Sequence, residues 1–292
     1  MDQFMQQMVN GISLGSIYAL IALGYTMVYG IIKLINFAHG DVYMIGAYIG
    51  FAATTYAQLG FLPALLISMA ACAVLGMTIE RIAYKPLRGS TRIAVLITAI
   101  GVSLFLEYVM MFFVGAEVRS YPVLLSNKVF HLGNVLINTQ QIYIVVTAIA
   151  LMILLQFIVH KTKTGKAMRA VSIDRDAAQL MGIKVDNTIS ITFAIGSAFA
   201  GAAGVLVGIY YNSIDPLMGI MPGLKAFIAA VFGGIGNIPG AMIGGMAIGI
   251  METLVSGYGY SLYRDAVVFA FLILILILKP SGLLGKNIRE KV

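Results

Sequence analysis

The chain alternates long oily runs with short polar interruptions. Nine apolar runs fall near 9–32, 41–58, 62–84, 93–114, 141–159, 188–211, 222–235, 240–257 and 265–279. A helix needs about 20 apolar residues to cross the hydrocarbon layer of a bilayer, and most of these runs are close to that length. Together they predict an all-α polytopic membrane protein of eight to nine transmembrane helices. The run at 222–235 is the short one. It predicts either a tilted crossing or a segment broken at depth, which is tolerated only where protein buries it or a cavity receives it.

One interruption differs from the others. Residues 160–187 read HKTKTGKAMRAVSIDRDAAQLMGIKVDN and carry Lys161, Lys163, Lys166, Arg169, Arg175 and Lys184, with Asp174, Asp176 and Asp186. Asp174 is suited to cap a helix N-terminus, Asp176 to its first turn, and Gly182 to the position just past its end. Between them Ala177, Ala178, Leu180 and Met181 form a small apolar face. So short a helix is unstable alone in water and predicts a neighbour to lean on. Two readings stand: a solvated loop that sets topology, as basic loops do, or a docking element for a soluble partner.

Composition agrees with the pattern. Apolar residues are 60% and charged residues 11% of the 292, against roughly 45–50% and about 25% in soluble domains. The net charge of +7 does not point to nucleic acid, because the positive residues are confined to a few inter-helix loops. The single cysteine, Cys72, lies inside an apolar run, which excludes disulfides and Cys-rich metal sites. The start, MDQFMQQMVNG, lacks a basic segment, and the apolar stretch after it reads as a first span, not a cleaved signal. Residues 1–292 thus read as a single transmembrane domain.

The basic residues also predict orientation. With nine crossings and 160–187 inside, the inner segments hold Lys33, Arg81, Lys85, Arg88, Arg92, the six named above, Lys279, Lys286, Arg289 and Lys291. Of the 19 Lys+Arg, that leaves Arg119, Lys128, Lys225 and Arg264 outside. The bias puts the N-terminus outside and the C-terminus inside.

Several spans carry small residues at packing intervals: Gly11, Gly15 and Ala19; Gly46 and Gly50; Gly196, Ala200, Gly204 and Gly208; Gly240 and Gly244; Gly245 and Gly249. In lipid such stripes let helix backbones approach closely, and ordinary packing within the bundle accounts for them. Two irregular stretches are candidates for the transport path. One is Ile35 to Asp41, which sets Asn36, His39 and Asp41 beside a glycine; the other is Gly233 to Gly240, which holds Gly233, Gly234, Asn237 and Pro239. Transporters bind cargo where helices break, because freed backbone groups then face a cavity. Tight surface turns explain the same spacing. His39 and Asp41 have no third ligand nearby, so no metal site is read there. Glu107 and Glu252 lie deep in apolar runs, where ionisable groups are functional suspects. With no cation evident at matching depth, both read as structural hydrogen bonders. Asp215 and Pro216 read as a plain turn. No P-loop, zinc-protease or nucleophile-elbow motif occurs, so no catalytic residue is assigned.

Long runs of the chain resemble the permease subunit of high-affinity branched-chain amino acid ABC importers. They are GYTMVYGIIKLINFAHGDVYMIGAY (24–48), GKAMRAVSIDRDAAQLMGI (165–183), GLKAFIAAVFGGIGNIPGAMIGG (223–245) and KPSGLLG (279–285). The resemblance implies that residues 165–183 are a cytoplasmic segment coupling to an ATPase, with Gly165, Arg169, Asp174, Asp176, Ala177, Ala178 and Gly182 as its residues. It also implies a homologous second permease subunit, two ATPase subunits that use ATP, and an extracellular solute-binding protein. No cofactor is implied for this chain itself. Alternatives are a permease of the same kind for urea, amides or another amino acid, and an ion-coupled secondary transporter working through Glu107 or Glu252.

Overall fold

The computed structural model describes residues 2–33, 36–125 and 128–285. Lys286, Arg289 and Lys291 of the charge count, and Ile35 of the first irregular stretch, lie outside these. The helices are α1 (Asp2–Ile32), α2 (His39–Thr55), α3 (Phe61–Ile79), α4 (Arg92–Val114), α5 (Thr139–Lys161), α6 (Lys163–Ile173), α7 (Arg175–Leu180), α8 (Val185–Tyr211), α9 (Ile220–Gly233), α10 (Ile238–Gly257) and α11 (Arg264–Leu278). Each apolar run falls on one helix. Among the described residues, seven helices are long and apolar enough to cross a membrane, with α2 at 17 residues and α9 at 14 falling short.

Three expectations are corrected. The protein is mostly, not wholly, helical: β1 (Arg119–Ser120) pairs antiparallel with β4 (Ser213–Ile214), and β2 (Val129–Leu132) with β3 (Val135–Asn138). The second ribbon turns at Gly133-Asn134, where Gly133 takes φ +65°, a conformation glycine adopts without steric cost. Second, 160–187 is more helical than expected, because α6 precedes the short helix expected after Asp174. Thr162 caps α6 by accepting from Gly165 N, and Asp174 separates α6 from α7. Third, Lys225 is not an outer-loop charge. It is buried in α9.

α1 is the axis of the bundle; its spanning stretch is 89% buried, against 6% for the stretch containing α11. Small residues explain the close packing around it. A Cβ added to Gly249 of α10 would stand 2.2 Å from Gly15 N, and one added to Gly245 would stand 2.3 Å from Ala19 N. Gly196 and Gly204 of α8 meet Gly24 of α1 and the Tyr43–Ala47 stretch of α2 in the same way, and Gly46 meets Gly201. Dispersion gained through such close approach holds helices together in lipid, where burial of apolar surface gives no advantage.

The contacts also set depth. The N-terminal end of α1 lies with the α10 C-terminus, where Gln3 donates to Gly257 O, and with β3, where Gln6 donates to Leu136 O. The other end of α1 meets α7: Arg175 Nη2 donates to Ile31 O and Ile32 O. α2 does not start at that end. His39 lies against Gly24, eight residues before the end of α1, or about 12 Å along a helix. α9 begins at a similar depth, because a Cβ on Gly219 would stand 2.5 Å from Gly40 O and one on Gly223 3.1 Å from Gly40 Cα. Two helices thus begin inside the bundle, N-terminus to N-terminus.

Candidate functional site

The first irregular stretch occupies the start of α2. Asn36, His39 and Asp41 are all buried. Asn36 Oδ1 accepts from Tyr84 OH at 2.6 Å, and Asn36 O accepts from His39 N at 3.1 Å. The His39 ring lies on Gly24 of α1 and edge-on to Tyr25 at 4.8 Å between centroids. Asp41 turns the other way and accepts from Ser103 Oγ of α4, with buried Glu107 beside it. His39 and Asp41 therefore serve different helices, and neither α2 nor α9 has a side-chain cap at its start. Several backbone N–H groups here bond to nearby carbonyls, His39 N to Asn36 O, Asp41 N to Ala38 O and Ile220 N to Leu217 O, as backbone that begins a helix at depth must be satisfied by protein.

The second stretch lies elsewhere. Gly233, Gly234, Asn237 and Pro239 form the turn between α9 and α10. Gly234 takes φ +101°, and Asn237 caps α10 by accepting from Gly240 N. The tail closes over this turn: Leu283 N donates to Phe232 O, Leu284 N to Gly233 O, and Asn237 Nδ2 to Leu284 O. Gly236 lies against Gly30, six residues nearer the end of α1 than Gly24. The structure does not bring the two stretches together, and the second is a packed turn.

At the α6–α7 end, the residues assigned to coupling divide into two groups. Gly165 and Arg169 hold the elbow between α5 and α6. A Cβ on Gly165 would stand 2.1 Å from Val159 O, and Arg169 Nη1 donates to that same carbonyl. The others build α7. Asp174 Oδ1 accepts from Asp176 N and Ala177 N. The helix ends with Gly182 N donating to Gln179 O and Ile183 N to Ala178 O, Gly182 at φ +82°, the paired closure that a left-handed residue permits. Ala178, at 4% exposure, packs into its own chain, while Ala177 is exposed and Ile173, Leu180 and Met181 are 86%, 88% and 82% exposed. Ala177, Ile173, Leu180 and Met181 thus leave apolar surface open at this end.

Two charged clusters were not read from the sequence. In the first, α3 runs on through a π turn (Glu80–Tyr84) and a short 3-10 turn (Lys85–Leu87). Fully buried Glu80 takes Arg88 Nη2 and Ser190 Oγ, Arg88 reaches on to Asp186, and Lys85 pairs with Asp186 at 2.8 Å. In the second, Lys225 Nζ stands 2.8 Å from Glu252 and 2.7 Å from Asp265, and Tyr18 OH donates to Glu252 at 2.8 Å. Glu252 therefore does have a cationic partner at its depth, contrary to the sequence reading. That partner sits 27 residues away on another helix, where no local pattern announces it.

Comparison with known proteins agrees with this architecture. The family model described as "Branched-chain amino acid transport system / permease component" matches residues 7–278. The chain is 46% identical to the high-affinity branched-chain amino acid transport system permease protein LivH of Escherichia coli K12, over 99% of this chain and 98% of that protein. It is 44% identical to BraD of Pseudomonas aeruginosa, over 99% and 98%. A probable branched-chain amino acid transport permease protein LivH of Methanocaldococcus jannaschii is 30% identical, over 92% and 89%. With a match that runs almost from end to end, and a bundle of apolar helices to carry it, this chain belongs to the permease-component family of the branched-chain amino acid transport systems.

Proposed function

We propose that this chain is the membrane-spanning subunit of an ATP-driven importer, that it forms part of the path for branched-chain amino acids, and that it draws its motion from separate ATPase subunits. Near-full-length identity to relatives named for that transport carries the reading. A second, homologous permease subunit and an extracellular binding protein complete the assembly. Residues 1–292 act as one transmembrane domain in the cell membrane, with nine crossings, the N-terminus outside and the α6–α7 end inside. The two short helices α2 and α9 each belong to one of those crossings.

In this reading the start of α2, with Asn36, His39 and Asp41, lines the path, and α7 is the coupling helix. Its Schellman-type closure at Gly182 holds Leu180 and Met181 out toward a cleft in the ATPase. Burying one leucine is worth about 1.5–3 kcal/mol, so Leu180→Asp is expected to weaken ATPase binding at least about tenfold while the chain stays in the membrane. Titration of ATPase onto the reconstituted permease reads this directly; unchanged affinity would leave α6–α7 as a device of topology. Substrate and energy source are tested together by leucine, isoleucine and valine uptake into proteoliposomes holding the full assembly. Uptake should require ATP. Uptake driven by an imposed proton gradient without ATP would replace this reading with a secondary transporter.

A further inference from the structure

The α6–α8 segment is tied to both sides of the point where α1 gives way to α2. On one side Arg175, at the start of α7, donates to the last carbonyls of α1, Ile31 O and Ile32 O, at 3.2 and 2.9 Å. On the other, Asp186, in the first turn of α8, holds Arg88, which holds buried Glu80, which also takes Ser190 of α8. Glu80 begins and Tyr84 ends the same π turn, and the Tyr84 hydroxyl donates to buried Asn36 at 2.6 Å. Burial, and then the like charge of Arg88, lower the Arg175 guanidinium from its ordinary value, with Asp176 opposing. Single π turns inside helices recur at functional sites, because the extra residue re-aims side chains at the cost of regular hydrogen bonding.

We propose that the buried Ser190–Glu80 contact, braced by Arg88 and ending in the Tyr84–Asn36 hydrogen bond, carries displacement of the α6–α8 segment to the mid-depth start of α2. Tyr84 and Glu80 are then positioning residues for transport. This rests on the reading of α7 as the coupling helix and of the α2 start as part of the path. The physical basis is stiffness. Glu80 is fully buried and Ser190 of α8 nearly so, so their contact cannot be replaced by water without opening the helix junction, and a buried link holds position where an exposed one such as Arg88–Asp186 yields. The paired connections at Ile31–Ile32 and Asn36 mean that α1 and α2 are pulled from one cytoplasmic element, not two.

The test uses the whole transporter in proteoliposomes and measures amino acids taken up per ATP hydrolysed. Tyr84→Phe removes one hydroxyl and leaves Asn36 Oδ1 without its donor. The uptake-to-hydrolysis ratio is expected to fall about tenfold, the scale of one unsatisfied buried polar group, with ATPase binding and ATP hydrolysis retained. Glu80→Gln should act in the same direction and keep the Ser190 contact. A merely structural role would lower assembly, hydrolysis and uptake together and leave the ratio unchanged; that result, or a wild-type ratio in both variants, overturns the proposal. Leu180→Asp separates the two levels of failure. If it weakens ATPase binding while Tyr84→Phe stays fully coupled, the link is wrong and the coupling helix stands. If it binds ATPase normally, the underlying reading fails first.

Discussion

Lys225→Met is expected to cost about 3–5 kcal/mol, the usual penalty for removing one partner of a buried ion pair. Lys225 is 3% exposed and serves two carboxylates, Glu252 and Asp265, while its ammonium also stands 5.9 Å from the centre of the Tyr18 ring. Methionine fills nearly the same volume, so packing is preserved and the charge is what is lost. Glu252, itself 3% exposed, is then left with Tyr18 OH and with Arg264 Nε at 3.7 Å. Asp265 is about a third exposed and can turn to water. The melting temperature of the purified subunit in detergent should drop sharply. Adding Glu252→Gln should recover most of the loss, because no uncompensated charge remains inside. A single variant as stable as the wild type would mean that the cluster is hydrated and not a clasp between α9, α10 and α11.

Gly249→Val should be nearly as damaging, and the same change at Gly101 should be almost silent. At Gly249 the new Cβ would stand 2.2 Å from Gly15 N and 2.3 Å from Gly15 Cα. Those atoms are backbone and cannot swing aside. The α1–α10 contact must open, at a cost at or above the about 1–3 kcal/mol typical of overpacking. At Gly101 of α4 a Cβ meets nothing within 4 Å. Membrane yield and thermal stability of the two variants, measured side by side, should therefore diverge; equal behaviour would deny that the glycine seam holds α1 to α10.

The nine apolar runs, each of which became a helix, were legible because hydropathy over some twenty residues is a local property. So was α7, since capping by Asp174 and closure at Gly182 depend on neighbours in sequence. What was not legible is depth. The run at 41–58 gave no sign that its helix starts beside Gly24, because that depends on the Gly40–Gly219 contact with a segment some 180 residues on. The error over Lys225 has the same root: its place in the charge count assumed that α9 begins at the surface. The β2–β3 ribbon was a different kind of miss. VFHL and VLIN around Gly-Asn is a recognisable hairpin, hidden between two apolar runs that drew the attention. At the start of α2, Asn36, His39 and Asp41 stood out in the sequence, but their neighbours Tyr84, Glu80 and Ser103 carry no signal of their own. Only the fold makes them neighbours.

The seam between α1 and α10 also has a consequence for how the protein is made. α1 ends at Ile32 and α10 begins at Ile238. At usual rates of synthesis the first helix waits roughly 10–40 s for its main partner to leave the ribosome. During that time its glycine face is open to other helices and to the proteases that survey the membrane. Chains that stop before residue 238 keep that face uncovered for good, so C-terminal truncation should be cleared from the cell far faster than loss of the peripheral α11.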